Sequence, residues 1–108
     1  MKLLTLETLA RLQAQDPHHR SGPGRELPTD QLMVIVKFFT PDSNWTWYAV
    51  SAYQDPDSKD VQFFGLVDGF EKELGYFYLS ELESVRGPLG LPIECDLYWT
   101  PVPLSDLL

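Results

Sequence analysis

The chain has 108 residues, a length typical of one domain with a modest hydrophobic core. Its composition is 44% hydrophobic and 13% aromatic, which predicts a folded protein, since disordered chains carry fewer aromatic residues. No apolar run approaches the roughly 18 residues of a membrane-spanning helix, and Glu7 and Arg11 interrupt the apolar start, so we expect neither a membrane protein nor a secreted one. The single cysteine, Cys95, excludes an internal disulfide and favours a cytoplasmic location.

The net charge of −8 is unevenly distributed along the chain. Residues 1–41 hold five basic and four acidic residues, a net +1, whereas the remainder holds three basic and twelve acidic residues, a net −9. A surface this acidic repels phosphate groups and lacks a basic stripe, so we expect no direct binding of nucleic acid. Attraction of basic protein surfaces and simple solubility are the two interpretations that stay open.

Residues 5–15 are predicted to form an amphipathic helix that Thr5 caps, with an apolar face made of Leu6, Leu9 and Leu12. Asp16-Pro17 ends this helix. Residues 16–31 are rich in proline, glycine and polar residues and are predicted to form a mobile loop. The adjacent His18 and His19 in this loop point in different directions and have no third ligand near in sequence, so we interpret them as solvated.

Three strands are predicted in the middle of the chain. In residues 32–39 the alternation places residues 32, 34, 36 and 38 on one face, and only Lys37 interrupts the apolar character, which indicates a central strand. Turn residues 40–44 precede a returning strand at residues 45–52. A third strand follows at residues 61–67, where Gly65 indicates a bulge or close packing against an aromatic ring.

Asp68-Gly69 is the strongest turn signal in the chain and predicts a hairpin. The second arm begins either at Phe70 or, after a longer loop, at Gly75. We favour a strand at residues 75–79, because the charged residues 71–73 are poor strand formers.

A short helix is predicted after this strand, since Ser80 and Glu83 have the spacing of a capping box. We expect Leu82 and Val85 to face inward and a left-handed Gly87 with Pro88 to end the helix. The remaining chain predicts a loop pinned onto the core, a short strand at residues 96–99 and an extended tail, with apolar contacts from Leu89, Leu91, Ile93, Leu104, Leu107 and Leu108. Together these elements predict one α+β domain over residues 1–108: an N-terminal helix, a mostly antiparallel sheet of four to five strands, and a short helix after the fourth strand.

The phrases KFFTPDSNWTWY, FFGLVDGFEKELGYFYLSELESVRGPLGLPIE and DLYW carry a family resemblance. With them the chain resembles the bacterial domain-of-unknown-function family 2958, small proteins of plasmids and integrative elements. The resemblance covers the N-terminal helix and nearly all of residues 36–104. It implies a bacterial cytoplasmic setting and a role in a mobile element, in conflicts between such elements and host defences. It transfers no catalytic residue.

One pattern points to an enzyme. Pro41-Asp42 and Asp57-Ser58-Lys59 resemble the motif of metal-dependent nucleases, in which two acids hold Mg²⁺ and a lysine positions the attacking water. Residues 56–59 read as a flexible loop, whereas that motif needs a rigid strand. A small metal-dependent hydrolase or nuclease-like enzyme is therefore the alternative function.

Other catalytic and metal chemistry is not indicated. The acids Asp68, Glu71 and Glu73 offer oxygen ligands but lack the spacing of a calcium loop, so we expect no metal ion and no cofactor. Acidic neighbours, Glu94 and Asp96, raise the pKa of the Cys95 thiol and argue against a reactive thiolate.

Aromatic residues beside the acids indicate a different function. On the strands of a small sheet, half of the aromatic side chains point away from one face, so they are either covered or exposed as a binding surface. We therefore predict a non-enzymatic module that binds a protein partner, with candidate contact residues Asp42, Trp45, Trp47, Asp68, Phe70, Glu71 and Glu73. In its sharper form, the module belongs to a mobile element and blocks a nucleic-acid-binding host protein by presenting DNA-like negative charge.

Overall fold

The computed structural model describes residues 3–16 and 29–108. Residues 17–28 of the predicted mobile loop, which include His18 and His19, lie outside the described residues. The helices and strands, numbered in chain order, are α1 Leu6–Ala14, β1 Met33–Val34, β2 Val36–Phe39, β3 Thr46–Gln54, β4 Val61–Asp68, β5 Lys72–Tyr78, α2 Leu79–Ser84, β6 Glu94–Cys95 and β7 Val102–Pro103. Two short 3₁₀ turns, Thr29–Gln31 and Leu104–Asp106, precede β1 and follow β7.

The strands form two antiparallel sheets. The larger has the order β5-β4-β3-β2-β6, and the smaller pairs β1 with β7. This confirms the predicted α+β fold with an N-terminal helix, a sheet of four to five antiparallel strands and a short helix after the hairpin. The last strand of the larger sheet is β6, which pairs Cys95 with Phe38, and not the predicted residues 96–99.

Helix α1 begins as predicted, because the Thr5 side chain accepts a hydrogen bond from the Thr8 backbone N–H at 3.1 Å. Leu9 and Leu12 are buried, but Leu6 is 86% exposed, so its predicted place on the apolar face is wrong. Residues six apart are separated by about 120° around a helix, which turns Leu6 away from the face that holds Leu12.

The larger sheet is covered on both faces, each by its own hydrophobic core. The face that packs against α1 and α2, here called the helix face, contributes Phe38, Ala49 and Phe63 to a core with Leu12 and Leu82. The opposite face, here called the tail face, is covered in part by the C-terminal residues. Its core contains Leu32, Val34, Val50, Leu66 and Leu104.

The predicted strand at residues 32–39 is divided at Ile35. Val34 lies in the tail-face core and Val36 in the helix-face core, so the prediction that residues 32, 34, 36 and 38 share one face is wrong, although all four are buried. Val34 leaves the larger sheet and pairs with Val102 in the smaller one. The alternation of side chains therefore restarts after Ile35.

The β4–β5 hairpin is tighter than the sequence predicts. Asp68 pairs with Lys72, so the loop contains only residues 69–71, and the expected longer loop before residues 75–79 is wrong. Strand β5 lies at the edge of the sheet, where charged side chains reach solvent and cost little. Cross-strand pairing thus overrides the weak strand propensity of residues 71–73.

Helix α2 begins earlier than predicted, at Leu79. The Glu81 carboxylate accepts a hydrogen bond from the Tyr78 backbone N–H at 3.1 Å, so the glutamate contact of the cap forms two residues before the expected Ser80–Glu83 pair. Leu82 is buried and Val85 packs against the core, as predicted. The helix ends at Ser84 with Val85 extended, and among the described glycines Gly90, rather than Gly87, has a positive φ.

The C-terminal residues pack against the tail face of the larger sheet. The indole Nε1 of Trp99 donates to the Val34 carbonyl at 2.9 Å, and its ring lies 5.7 Å from that of Tyr48. Leu104 is buried as predicted, whereas Leu108 is exposed. Leu89, Leu91 and Ile93 were expected to hold the loop at residues 87–94 against the core. Ile93 is buried as predicted, whereas Leu89 and Leu91 are exposed.

Candidate protein-binding surface

Three of the candidate residues form one aromatic cluster at the tip of the β4–β5 hairpin. The Trp45 and Trp47 rings stack with centroids 6.0 Å apart, and Phe70 meets Trp45 edge-on at 5.4 Å. Trp47 is buried in the helix-face core, Trp45 is half-buried, and Phe70 is 94% exposed. One end of the cluster, Trp47, is therefore buried in the core, and the other end, the Phe70 ring, is in solvent.

Gly69 allows Trp45 to lie against the hairpin turn. A Cβ atom at residue 69 would lie 2.3 Å from Cζ3 of the Trp45 ring, which is closer than any side chain tolerates. The Gly69 backbone N–H donates to the Glu71 carbonyl at 3.3 Å and closes the turn. With the indole on one side and this hydrogen bond across the turn, the backbone places Phe70 at the outer end of the loop.

Acidic side chains lie on both sides of this aromatic tip. By strand alternation the Asp68 side chain belongs to the tail face, and Asp68 lies opposite Lys72 in the strand register. Glu73 belongs to the helix face and lies opposite Val67. Glu71 is exposed in the loop itself. The Lys72 ammonium donates to the Leu107 carbonyl at 3.0 Å and is directed toward the tail. The surface around Phe70 is therefore dominated by carboxylates.

Asp42 lies at the same end of the sheet but in a different environment. Its Oδ2 accepts a hydrogen bond from the Leu89 backbone N–H at 2.8 Å, and a Cβ at Gly87 would fall 1.6 Å from Oδ1. Asp42 thus connects the β2–β3 loop to residues 87–89. Its contacts are those of a structural residue within the protein, in contrast to the solvent-exposed Glu71.

The residues of the nuclease-like pattern are not brought together. Asp42 precedes β3, whereas Asp57 and Lys59 follow it, and a nine-residue strand is about 30 Å long. Residues 55–60 form a tight turn in which the Asp55 carboxylate accepts backbone hydrogen bonds from Asp57 and Ser58, and these bonds lower the pKa of Asp55. Two acids and a lysine therefore do not converge on one metal position.

No group of three or more histidine, cysteine, aspartate or glutamate side chains within residues 3–16 and 29–108 is arranged to hold a metal ion. Burial, and then the charge of Asp96, raises the pKa of the Cys95 thiol, in the direction that the acidic neighbours predict. None of the helices in this part of the chain is both long and apolar enough to cross a membrane.

The sequence prediction did not include a second exposed group, on the tail face of β4 and β5. Leu74 and Tyr76 are 48% and 68% exposed, and Tyr76 packs edge-on against Phe64 with ring centroids 5.1 Å apart. Tyr78 is also exposed, and its hydroxyl accepts a hydrogen bond from Gln62 at 3.1 Å. The predicted strand at residues 75–79 already carries Tyr76 and Tyr78 at alternate positions, whereas Leu74 joins this row only because β5 begins before Gly75.

The fold and this surface define a small α+β protein with an acidic hairpin that presents aromatic side chains. Residues 3–108 match the family described as protein of unknown function, DUF2958, and the chain belongs to that family, which confirms the resemblance seen in its sequence. Comparison with curated proteins gives no match, and neither does comparison with solved structures.

Proposed function

We propose that this protein is a non-enzymatic module that binds a basic protein partner through the tip of its β4–β5 hairpin. The observation that carries the proposal is Phe70, a phenyl ring that packs edge-on against Trp45 and is 94% exposed, in a hairpin that also carries Asp68, Glu71 and Glu73. Aromatic anchors of this kind provide much of the energy of protein interfaces once a partner covers them.

The charge of the chain supports a basic partner. The net −9 after residue 41 provides long-range attraction, which speeds association with a positively charged surface. Glu71 and Glu73 are exposed beside Phe70, so they would form the polar rim around an aromatic contact.

In its sharper form, the proposal names the partner as a nucleic-acid-binding host protein. Such a protein has a basic surface that normally meets phosphates, and an acidic module competes for that surface. The mobile-element setting that the family resemblance implies supports such a role, because a mobile element benefits when a host protein that acts on its DNA is blocked.

The experiment is affinity capture of the tagged protein from bacterial lysate at low and at moderate salt, with mass spectrometry of the retained proteins. A variant with Asp68→Asn, Glu71→Gln and Glu73→Gln and a second variant, Phe70→Ala, are compared with the wild type. A matched control, Glu7→Gln with Asp57→Asn and Glu83→Gln, removes the same charge from exposed positions elsewhere. We expect a basic protein that the wild type and the control retain and that both hairpin variants lose.

Equal retention by all four proteins, or loss by the control as much as by the hairpin variants, would contradict a specific hairpin contact. If the retained partner does not bind nucleic acid, the blocking role fails while the binding role stands.

A further inference from the structure

The outer edge of β5 is an unprotected strand edge. Strand β5 is the last strand of the sheet, and its seven residues pair with β4 without a register shift. At the opposite edge β6 contains only two residues. Proteins usually protect an edge with a short strand, a proline or a bulge. Strand β6 is protected by its length, whereas β5 is seven residues long, contains no proline and no bulge, and has no strand of the described residues paired along its outer side.

An apolar row accompanies this edge on the tail face. Leu74, Tyr76 and Tyr78 alternate along β5, and all three are exposed. The core built by Leu104 covers Leu66 in the neighbouring strand, where Leu66 is buried, but Leu74 opposite it is exposed. Within the described residues the C-terminal cover meets β5 at Lys72, whose ammonium donates to the Leu107 carbonyl, and leaves Leu74, Tyr76 and Tyr78 exposed beside the outer edge of the strand.

The charges around the outer edge of β5 favour a basic segment over a second copy of this chain. Residues 71–83 hold four glutamates, all exposed, and one cation, Lys72, whose ammonium is bonded to the Leu107 carbonyl. Glu73 lies on the helix face of β5, opposite to the side of Leu74 and Tyr76. A second copy of this chain would bring its own glutamates to the same edge, so like charges oppose that pairing. A basic segment meets no such opposition.

We propose that the outer edge of β5 binds an extended basic segment of a protein partner by strand addition. The backbone of the segment pairs with β5, and its apolar side chains rest on Leu74, Tyr76 and Tyr78. Its lysine or arginine side chains, on alternate positions, face Glu73 and the glutamates of α2. In this mode main-chain hydrogen bonds give affinity and alternate side chains give specificity. The inference rests on the proposed function for the basic character of the partner, but it uses the outer edge of β5, which shares only Glu73 with the hairpin tip.

The test uses the full chain and a labelled synthetic peptide of about ten residues, the length of a long strand, in which arginine and valine alternate. Binding is followed by fluorescence anisotropy and by amide hydrogen exchange. We expect saturable binding and new protection of every second amide of β5. We expect Leu74→Ala with Tyr76→Ala to weaken binding about tenfold or more, the effect of losing roughly 1.4 kcal/mol of contact. The control Tyr98→Ala removes a tyrosine that is 93% exposed outside this surface and leaves binding unchanged.

Two N-methylated peptides provide a test on the unmodified protein. Each carries N-methyl groups on alternate residues, in opposite phase. Strand addition uses only one edge of the peptide backbone, so one peptide loses binding and the other retains it. Equal binding by both peptides overturns the proposal, as does protection confined to residues 69–71. Protection of β5 that rises with protein concentration in the absence of peptide also overturns it, since a second copy then occupies the edge.

The two proposals fail separately. Suppose that a captured partner needs Phe70 and the hairpin acids but binds the Leu74→Ala, Tyr76→Ala variant normally, and that the two methylated peptides bind equally. These results would remove strand addition and leave the proposed function intact.

Discussion

At the scale of single residues, Gln15 shows how one side chain joins distant parts of the fold. Its amide nitrogen donates to the carbonyls of Met33 and Val50, and its amide oxygen accepts from the Met33 backbone N–H at 3.2 Å. These contacts join Met33 of the smaller sheet to Val50, which lies at the register shift between Ala49 and Ser51 in the β3–β4 pairing. The sequence places Gln15 at the end of a helix but does not predict these contacts. Its partners are backbone groups 18 and 35 residues away, and every residue has such groups, so no pattern of side chains identifies them.

We expect Gln15→Leu to destabilise the protein by about 2–4 kcal/mol, because it leaves buried backbone donors and acceptors without partners. Chemical denaturation measures this change. The control Gln31→Leu replaces an exposed glutamine and should stay within about 0.5 kcal/mol of the wild type. Equal stability of the two variants would show that water replaces the Gln15 contacts.

Asp60 is a second residue whose role appears only in the structure. Its carboxylate accepts hydrogen bonds from the Ser80 hydroxyl at 2.7 Å and from the backbone N–H groups of Ser80 and Val61. The Ser80 hydroxyl and then the backbone bonds hold the pKa of Asp60 below its usual value. The β3–β4 loop therefore contributes a cap to the first turn of α2, beside the local contact of Glu81 with the Tyr78 backbone N–H and in place of the Ser80–Glu83 pair that the sequence predicts.

Because the pKa of Asp60 is lower in the folded state, its contribution to stability is present at neutral pH. It is lost as the pH falls below about 4, the usual value for aspartate, and through the folded-state pKa. We expect Asp60→Asn to lower stability by no more than about 1 kcal/mol at neutral pH, since the site is largely open to solvent. Urea denaturation between neutral pH and pH 3 should show the difference from wild type shrinking with acidity. A difference that stays constant with pH would contradict the cap.

At the scale of elements, the hairpin shows where local sequence signals are sufficient. The Asp68-Gly69 turn signal and the three strands before it were predicted, because alternating side chains and turn residues encode them directly. The start of β5 was not, since residues 71–73 form a strand only when β4 pairs with them. The same reason explains part of the candidate site: Trp45, Trp47 and Phe70 were named from the sequence, whereas Leu74 was missed because the predicted strand begins after it. Tyr76 lies inside the predicted strand but was not chosen as a contact residue.

The glycine pair at the centre of the hairpin gives a direct test of this pairing. Gly65 lies opposite Gly75, yet a Cβ at Gly65 would fall 1.8 Å from the Tyr48 carbonyl oxygen, whereas a Cβ at Gly75 meets no atom within 4 Å. We expect Gly65→Ala to destabilise the protein by about 2 kcal/mol or more, through overpacking against a strand backbone. Gly75→Ala should be neutral or stabilising by up to about 1 kcal/mol. Thermal denaturation of both variants measures this, and equal effects would contradict the register.

At the scale of the whole molecule, the α+β class and the antiparallel sheet follow from the order of the predicted elements. The two separate cores do not, because the change of face at Ile35 depends on the smaller sheet formed with the C-terminal strand. The charge distribution, in contrast, is fully visible in the sequence. The structure adds its position: the hairpin acids lie in the same hairpin as an exposed phenyl ring, at one end of the sheet.

The most direct measurement of the proposed function is the affinity for the captured partner as ionic strength rises from low to physiological. We predict that wild-type binding weakens steadily with salt, because exposed charges are screened beyond about 8 Å at physiological ionic strength. The variant with Asp68→Asn, Glu71→Gln and Glu73→Gln should bind more weakly at low salt and depend less on salt. Identical affinities of the two proteins across the whole range would contradict an acidic binding surface at the hairpin.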